Sequence, residues 1–167
     1  QTFISQGFEI ANHTDTIPTC VNFTKESLES ALTLQLAQLA QNFPAMPSSK
    51  TNRNHCVLWS DYDSAPQVFL NHGIRLDTSY YYWPGVWAQD RPGMFTGSGM
   101  PMRYADRNGN LIDVFQATTQ MTDESGQTYP KNINTLLDNA TGPLGYYGAF
   151  TANMHTDYAD SSGSDHI

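Results

Sequence analysis

Three of the five histidines, His13, His55 and His155, stand where short apolar stretches begin or end. Imidazole is both the commonest transition-metal ligand and the side chain that moves protons near neutral pH. In a parallel α/β sheet or barrel the carboxyl ends of the strands converge on one face, where such folds bind ligands. His13 and His155 each follow an apolar segment, which makes them candidates for that face. Asp15, two residues beyond His13, adds a carboxylate of the kind that completes an imidazole ligand set. Tyr80, Tyr81, Tyr82, Trp83 and Trp87 offer flat faces, either for stacking on sugars or for one side of a core strand. Asp61, Asp63, Asp77, Asp113 and Asp157 could supply the paired carboxylates of a glycoside hydrolase, about 5–10 Å apart, and the sequence leaves open which of them converge. A serine nucleophile is disfavoured. There is no Gly-x-Ser-x-Gly elbow, and Gly97-Ser98-Gly99 falls in a loop. Cys20 and Cys56 belong to no C-x-x-C pair, which argues against a structural zinc knot. They form one disulfide in an oxidising compartment or remain two buried thiols.

The elements that must position these groups follow from periodicity and turn chemistry. Residues 3–13 read as a short helix end, a turn at Gly7, and a buried strand running into a polar loop. From Lys25 to about Phe43, Leu28, Leu32, Leu36, Leu39 and Phe43 fall on one face of a 3.6-residue period, with Thr24 as N-cap and Pro44 as stop. After a polar loop, His55–Trp59 reads as an apolar strand, 65–72 as a helix closed by Gly73, and Ile74–Trp83 as an aromatic strand. A Gly- and Pro-rich loop follows over 84–99. Residues 102–105 and 111–115 flank Asn108-Gly109 as a hairpin, in preference to a calcium loop, whose terminal Glu is missing. Residues 132–139 read as a helix and 146–154 as a last core strand that delivers His155 and Asp157. Alternating strands and helices predict an α/β fold with parallel pairing.

The 167 residues suit one domain, and a 39% hydrophobic content is enough for a core. With 14% charged residues and a net charge of −8, eight scattered Lys and Arg provide no basic face for nucleic acid. No stretch approaches the roughly 18 apolar residues that span a membrane, and the low charge suits an extracellular, secreted protein. No leader-like succession opens the chain, which begins at Gln1 and so reads as a processed or excised domain.

Gly7-Phe8-Glu9-Ile10-Ala11-Asn12-His13-Thr14 resembles the second motif of the polysaccharide deacetylases, Gly-x-Glu-Ile-x-Asn-His-Ser/Thr. Pro18 is kept, while Ile17 stands where that family has its second metal-binding histidine. Arg53-Asn54-His55-Cys56 is similar to the third motif in its Arg, Gly73–Asp77 with the aromatic run to Trp83 is similar to the fourth, and Phe150–Asp157 is similar to the fifth, an apolar strand ending in a catalytic His. The resemblance spans most of the chain outside an insertion-like stretch at about 84–129. The family's first motif, an Asp-Asp pair, does not precede His13, so the chain reads as one deacetylase-like domain, residues 1–167, within a longer polypeptide.

The resemblance implies an incomplete or distorted (β/α) barrel and metal-dependent hydrolysis of an acyl group on a polysaccharide or oligosaccharide. It implies His13 as a metal ligand and His155 as the acid. His55 is our candidate for the missing second ligand and Asp15 for a further one, with zinc as the first choice of divalent metal. Arg53 and Asp157 are candidates to orient these groups, and Tyr81, Trp83 and Trp87 to bind the sugar. The competing readings are a catalytically inactive carbohydrate-binding or structural module, favoured by Ile17 and the absent Asp-Asp pair, and a glycoside hydrolase.

Overall fold

A computed structural model describes residues 2–16, 18–80, 99–122, 131–143, 149 and 151–155. The chain divides into two compact units, residues 1–79 with 102–116, and residues 80–101 with 117–167.

The first unit is a mixed α/β structure. Its elements are α1 (Thr2–Ser5), β1 (Asn12–Thr14), α2 (Lys25–Asn42), β2 (Thr51–Asn54), α3 (Ser64–Asn71), β3 (Leu76–Asp77), β4 (Met102–Ala105) and β5 (Leu111–Gln116). The five strands form one sheet in the order β1-β2-β3-β5-β4. The first four in that order run parallel, and β4 returns antiparallel on β5. The α/β expectation therefore holds in its coarse form, as a mixed sheet of five strands among the described residues. The hairpin forms as expected, with Gly109 at φ +83° and the Asp106 carboxylate accepting from the backbone N–H groups of Asn108 and Asn110.

The core is built from α2, α3 and one face of the sheet. Leu28 and Leu32 of α2 are fully buried, with Val68 and Phe69 of α3, Ile74, and Ile112 and Val114 of β5. Leu36 packs against this cluster, whereas Phe43, at the end of the leucine stripe, is exposed. Thr24 caps α2 reciprocally, its hydroxyl accepting from Ser27 N–H while Ser27 Oγ accepts from Thr24 N–H. At the end of α3, Gly73 takes φ +74°, a conformation that only glycine adopts cheaply.

Two local expectations are corrected. The apolar run at 8–11 is not a buried strand: Phe8 is exposed, and β1 covers only Asn12–Thr14. Nor is 55–59 a strand. His55–Val57 forms a 3₁₀ turn with Cys56 and Val57 in the left-handed region, and the strand is instead the polar Thr51–Asn54 before it. Apolar content marked the wrong segment because β2 buries asparagines, not aliphatics. The aromatic strand expected over 74–83 is regular only at Leu76–Asp77, and its residues 81–83 lie outside the described residues.

In the second unit, β6 (Met121–Thr122) pairs in parallel with β7 (Ala152–Asn153), and α4 spans Lys131–Thr141. Gln120 holds the strands together, its Nε2 donating to Ala149 O and its Oε1 accepting from Thr151 N–H. Gly99 is required here, because a Cβ would fall 2.2 Å from Ala149 O.

Candidate functional site

The carboxyl ends of β1 and β2 bring His13 and His55 together. In the parallel register Asn12, His13 and Thr14 lie opposite Asn52, Arg53 and Asn54, so His55 follows one residue past the strand end. Alternation along these strands separates two faces. Thr14, Asn52 and Asn54 are buried, while His13 points to the opposite, exposed side. His13 Nε2 and His55 Nδ1 are 3.0 Å apart, with the rings edge to face at 85°. Two imidazole lone pairs cannot face one another at that distance unless a proton or a cation lies between them. Desolvation, then the positive charges of His55 and Arg53, hold His13 below its ordinary value of 6.5. The neutral, ligand-competent form is thereby favoured.

Asp15 follows directly on β1. Its Oδ1 accepts from Thr16 N–H and its Oδ2 from Thr19 Oγ1, both at 2.7 Å. Desolvation opposes its ionisation, but these bonds and the charge of His55 outweigh that and lower its pKa. Its charge acts on His13 as well. Arg53 donates from Nη1 to Thr78 O at 2.8 Å, tying β2 to the segment after β3. The donor set fits a cation at the two imidazole nitrogens, which are separated much as two cis ligands on one zinc would be, roughly 3.3 Å. Each Asp15 oxygen accepts one of these bonds and keeps a further lone pair. Among the described residues, the metal-ligating atoms that lie within 4.8 Å of one another in a group of three belong to Cys20, His55 and Cys56. Cys20 and Cys56 are joined as a disulfide, the first of the two alternatives left open above.

His155 lies in the second unit, two residues past β7, and is half-buried. Asp157, Tyr81, Trp83, Trp87 and Ile17 lie outside the described residues.

Sequence reasoning missed the support beneath the histidines. Glu9, from the Gly-x-Glu motif, reaches across to the start of β2 and accepts from Lys50 N–H, Thr51 N–H and Thr51 Oγ1. That motif therefore clamps β2 beside β1. On the buried face a hydrogen-bonded chain crosses the sheet. Asn12 donates to Thr14, Thr14 to Asn52 and Asn52 to Asn54. Asn54 N–H donates to Ser79 Oγ, which donates to Asp77, and Asp77 Oδ2 accepts from Tyr104 at 2.7 Å. Gln116 completes the chain by donating to the Tyr104 hydroxyl. Burial pushes the Asp77 carboxyl above its ordinary 3.8, and hydrogen bonds from Ser79 and Tyr104 only partly oppose it. Burial, with Asp77 alongside, raises Tyr104 too. The alternating Asn52 and Asn54 were the available signal, but with no apolar neighbours they read as a polar loop.

No protein-family model and no curated protein matches the sequence. Among solved structures the chain is similar to a Bordetella bronchiseptica protein assigned as a polysaccharide deacetylase involved in O-antigen biosynthesis, with 15% identity and a TM-score of 0.49. The match covers 93% of this chain and 55% of that one, so the chain spans about half the length of its neighbour.

Proposed function

We propose that this chain is a metal-dependent, deacetylase-like hydrolase that removes an acyl group from a polysaccharide or oligosaccharide. The observation that carries the reading is the 3.0 Å approach of the His13 and His55 ring nitrogens at the carboxyl ends of adjacent parallel strands. His13 and His55 would hold a divalent cation, zinc being the first choice for two imidazoles. Asp15 would join them by exchanging its threonine partners. The bound ion would polarise the acyl carbonyl and lower the pKa of a water molecule. His155 would protonate the leaving group, with Asp157 orienting it and Arg53 fixing the register of β2 beside the site. Tyr81, Trp83 and Trp87 would stack on the sugar. The Cys20–Cys56 disulfide supports an extracellular location, and among the described residues no helix is long and apolar enough to cross a membrane.

Of the competing readings, the glycoside hydrolase is the less supported. Asp61 caps α3 through Ser64, Asp63 accepts from Gln67, Asp113 pairs with Arg75 and Arg103, and Asp77 is buried. The inactive binding module is favoured by Ile17, which stands where the resembled family has its second metal-binding histidine.

The test is the metal content of the protein purified without chelator, beside His13→Ala and His55→Ala, together with acetate release from an acetylated oligosaccharide. We expect near-stoichiometric metal that is lost from both variants, and acetate release that chelation abolishes. A folded protein that binds the glycan yet releases no acetate with any divalent metal supplied would overturn the proposal in favour of the binding module.

A further inference from the structure

The disulfide at the same strand ends has a second chemistry open to it. Cys20 lies in the loop after β1, and Cys56 in the turn that closes β2, 36 residues later, with their Cα atoms 5.4 Å apart. Both are exposed, so solvent and reductants reach them. A ring nitrogen of His55 lies within 4.8 Å of both sulfurs, and His55 Nδ1 lies 3.0 Å from His13 Nε2. In a tetrahedral zinc site, with Zn–S near 2.3 Å and Zn–N about 2.0–2.1 Å, neighbouring ligand atoms are roughly 3.3–3.8 Å apart. Once the S–S bond is cleaved, the two sulfurs reach that spacing by separating roughly 2 Å further, with the His55 nitrogen within 4.8 Å of both.

The backbone marks the same spot. Among the described residues, the non-glycine positions in the left-handed region are Cys20 at φ 59°, Cys56 at φ 53° and Val57 at φ 55°. That region is costly for any side chain and most of all for a β-branched one. Such strain persists only where surrounding structure over-determines it, and it concentrates at ligand clamps and switches. Here it sits on the two sulfur-bearing segments.

The geometry points to a redox-gated site for a soft transition-metal cation, formed by Cys20, Cys56 and His55 with water in the fourth position. In the disulfide form the site is closed. Two equivalents of a thiol, or one of a dithiol, transfer two electrons and two protons to the S–S bond, giving two cysteine thiols and the reductant's own disulfide. A divalent cation then displaces the two thiol protons and is held by two thiolates and one imidazole, a set that selects zinc or its analogues over calcium or magnesium. Oxidation of the thiolates by a disulfide reverses both steps and expels the cation. The site shares His55 with the proposed hydrolytic centre but does not rest on hydrolysis.

Cobalt(II) tests this, because thiolate ligation gives an intense near-ultraviolet charge-transfer absorption that imidazole and carboxylate ligation do not. The whole chain is reduced with a phosphine, freed of reductant without oxygen, and titrated beside the disulfide form. We expect the dithiol form to take up one equivalent with that absorption, zinc to displace the cobalt, and diamide to bleach the band as the metal is released. The Cys20→Ser/Cys56→Ser variant should lack the band, and where it does not fold, the reduced and alkylated protein takes its place. Zinc should also slow alkylation of the two thiols at least tenfold. A dithiol form that takes no cobalt, takes it without the charge-transfer band, or is unfolded and not refolded by metal would overturn the inference. Metal binding by the disulfide form reports separately on the hydrolytic centre.

Discussion

The first unit holds two kinds of interior side by side, and they are built on different physics. Where α2 and α3 meet the sheet, Leu28, Leu32, Val68, Phe69, Ile112 and Val114 are buried by non-directional packing. Beneath the histidines, Thr14, Asn52, Asn54, Asp77 and Ser79 are as fully buried, but each is held by hydrogen bonds with a defined donor and acceptor. The apolar region draws its stability from area removed from water and tolerates any side chain of similar volume. The polar region gains little net energy per bond, loses much when one partner goes missing, and specifies one arrangement of β1, β2 and β3. A site that needs two imidazoles 3.0 Å apart stands on the second kind of foundation.

The largest effect should come from emptying the apolar region. Phe69 is fully buried, and Phe69→Ala should cost about 3–5 kcal/mol in denaturant unfolding. A cost under 1 kcal/mol would mean that α3 does not pack as described. Next comes a volume-conserving pair of substitutions that sets the two regions against each other. Leu32→Met should cost less than about 1.5 kcal/mol. Asn52→Leu should cost more, about 1–3 kcal/mol for each partner left unsatisfied, here Thr14 and Asn54. Equal costs would erase the distinction between the regions.

The smallest effect is a slope. The pKa of Asp77 is raised in the folded state, so it keeps its proton in the fold at a pH where the unfolded chain has already lost it. Its contribution to stability is complete below the unfolded value of 3.8 and declines as pH rises through the folded one. Asp77→Asn should therefore flatten the dependence of unfolding free energy on pH above about 4. An unchanged slope would show that Asp77 is ionised in the fold.

The sequence by itself determined α2, with its Thr24 cap, its leucine stripe and its stop at Pro44, because periodicity and capping are local. It determined α3 with Gly73, the Asn-Gly hairpin and the α/β class for the same reason. It also drew attention to His13 and His55, through a motif and through their places beside apolar runs. Only the tertiary structure decided that Thr51–Asn54 is an inner strand of the sheet, since Asn52 and Asn54 become buried only when β1 and the segment after β3 supply their hydrogen bonds from 25 to 38 positions away in the chain. It likewise decided that His55 begins a left-handed turn, not a strand, because that turn is joined to Cys20 across 36 residues. Hydrogen-bond partners and cross-links at such separations leave no periodic trace along the chain, whereas the burial of a helix face is written into it every third or fourth residue.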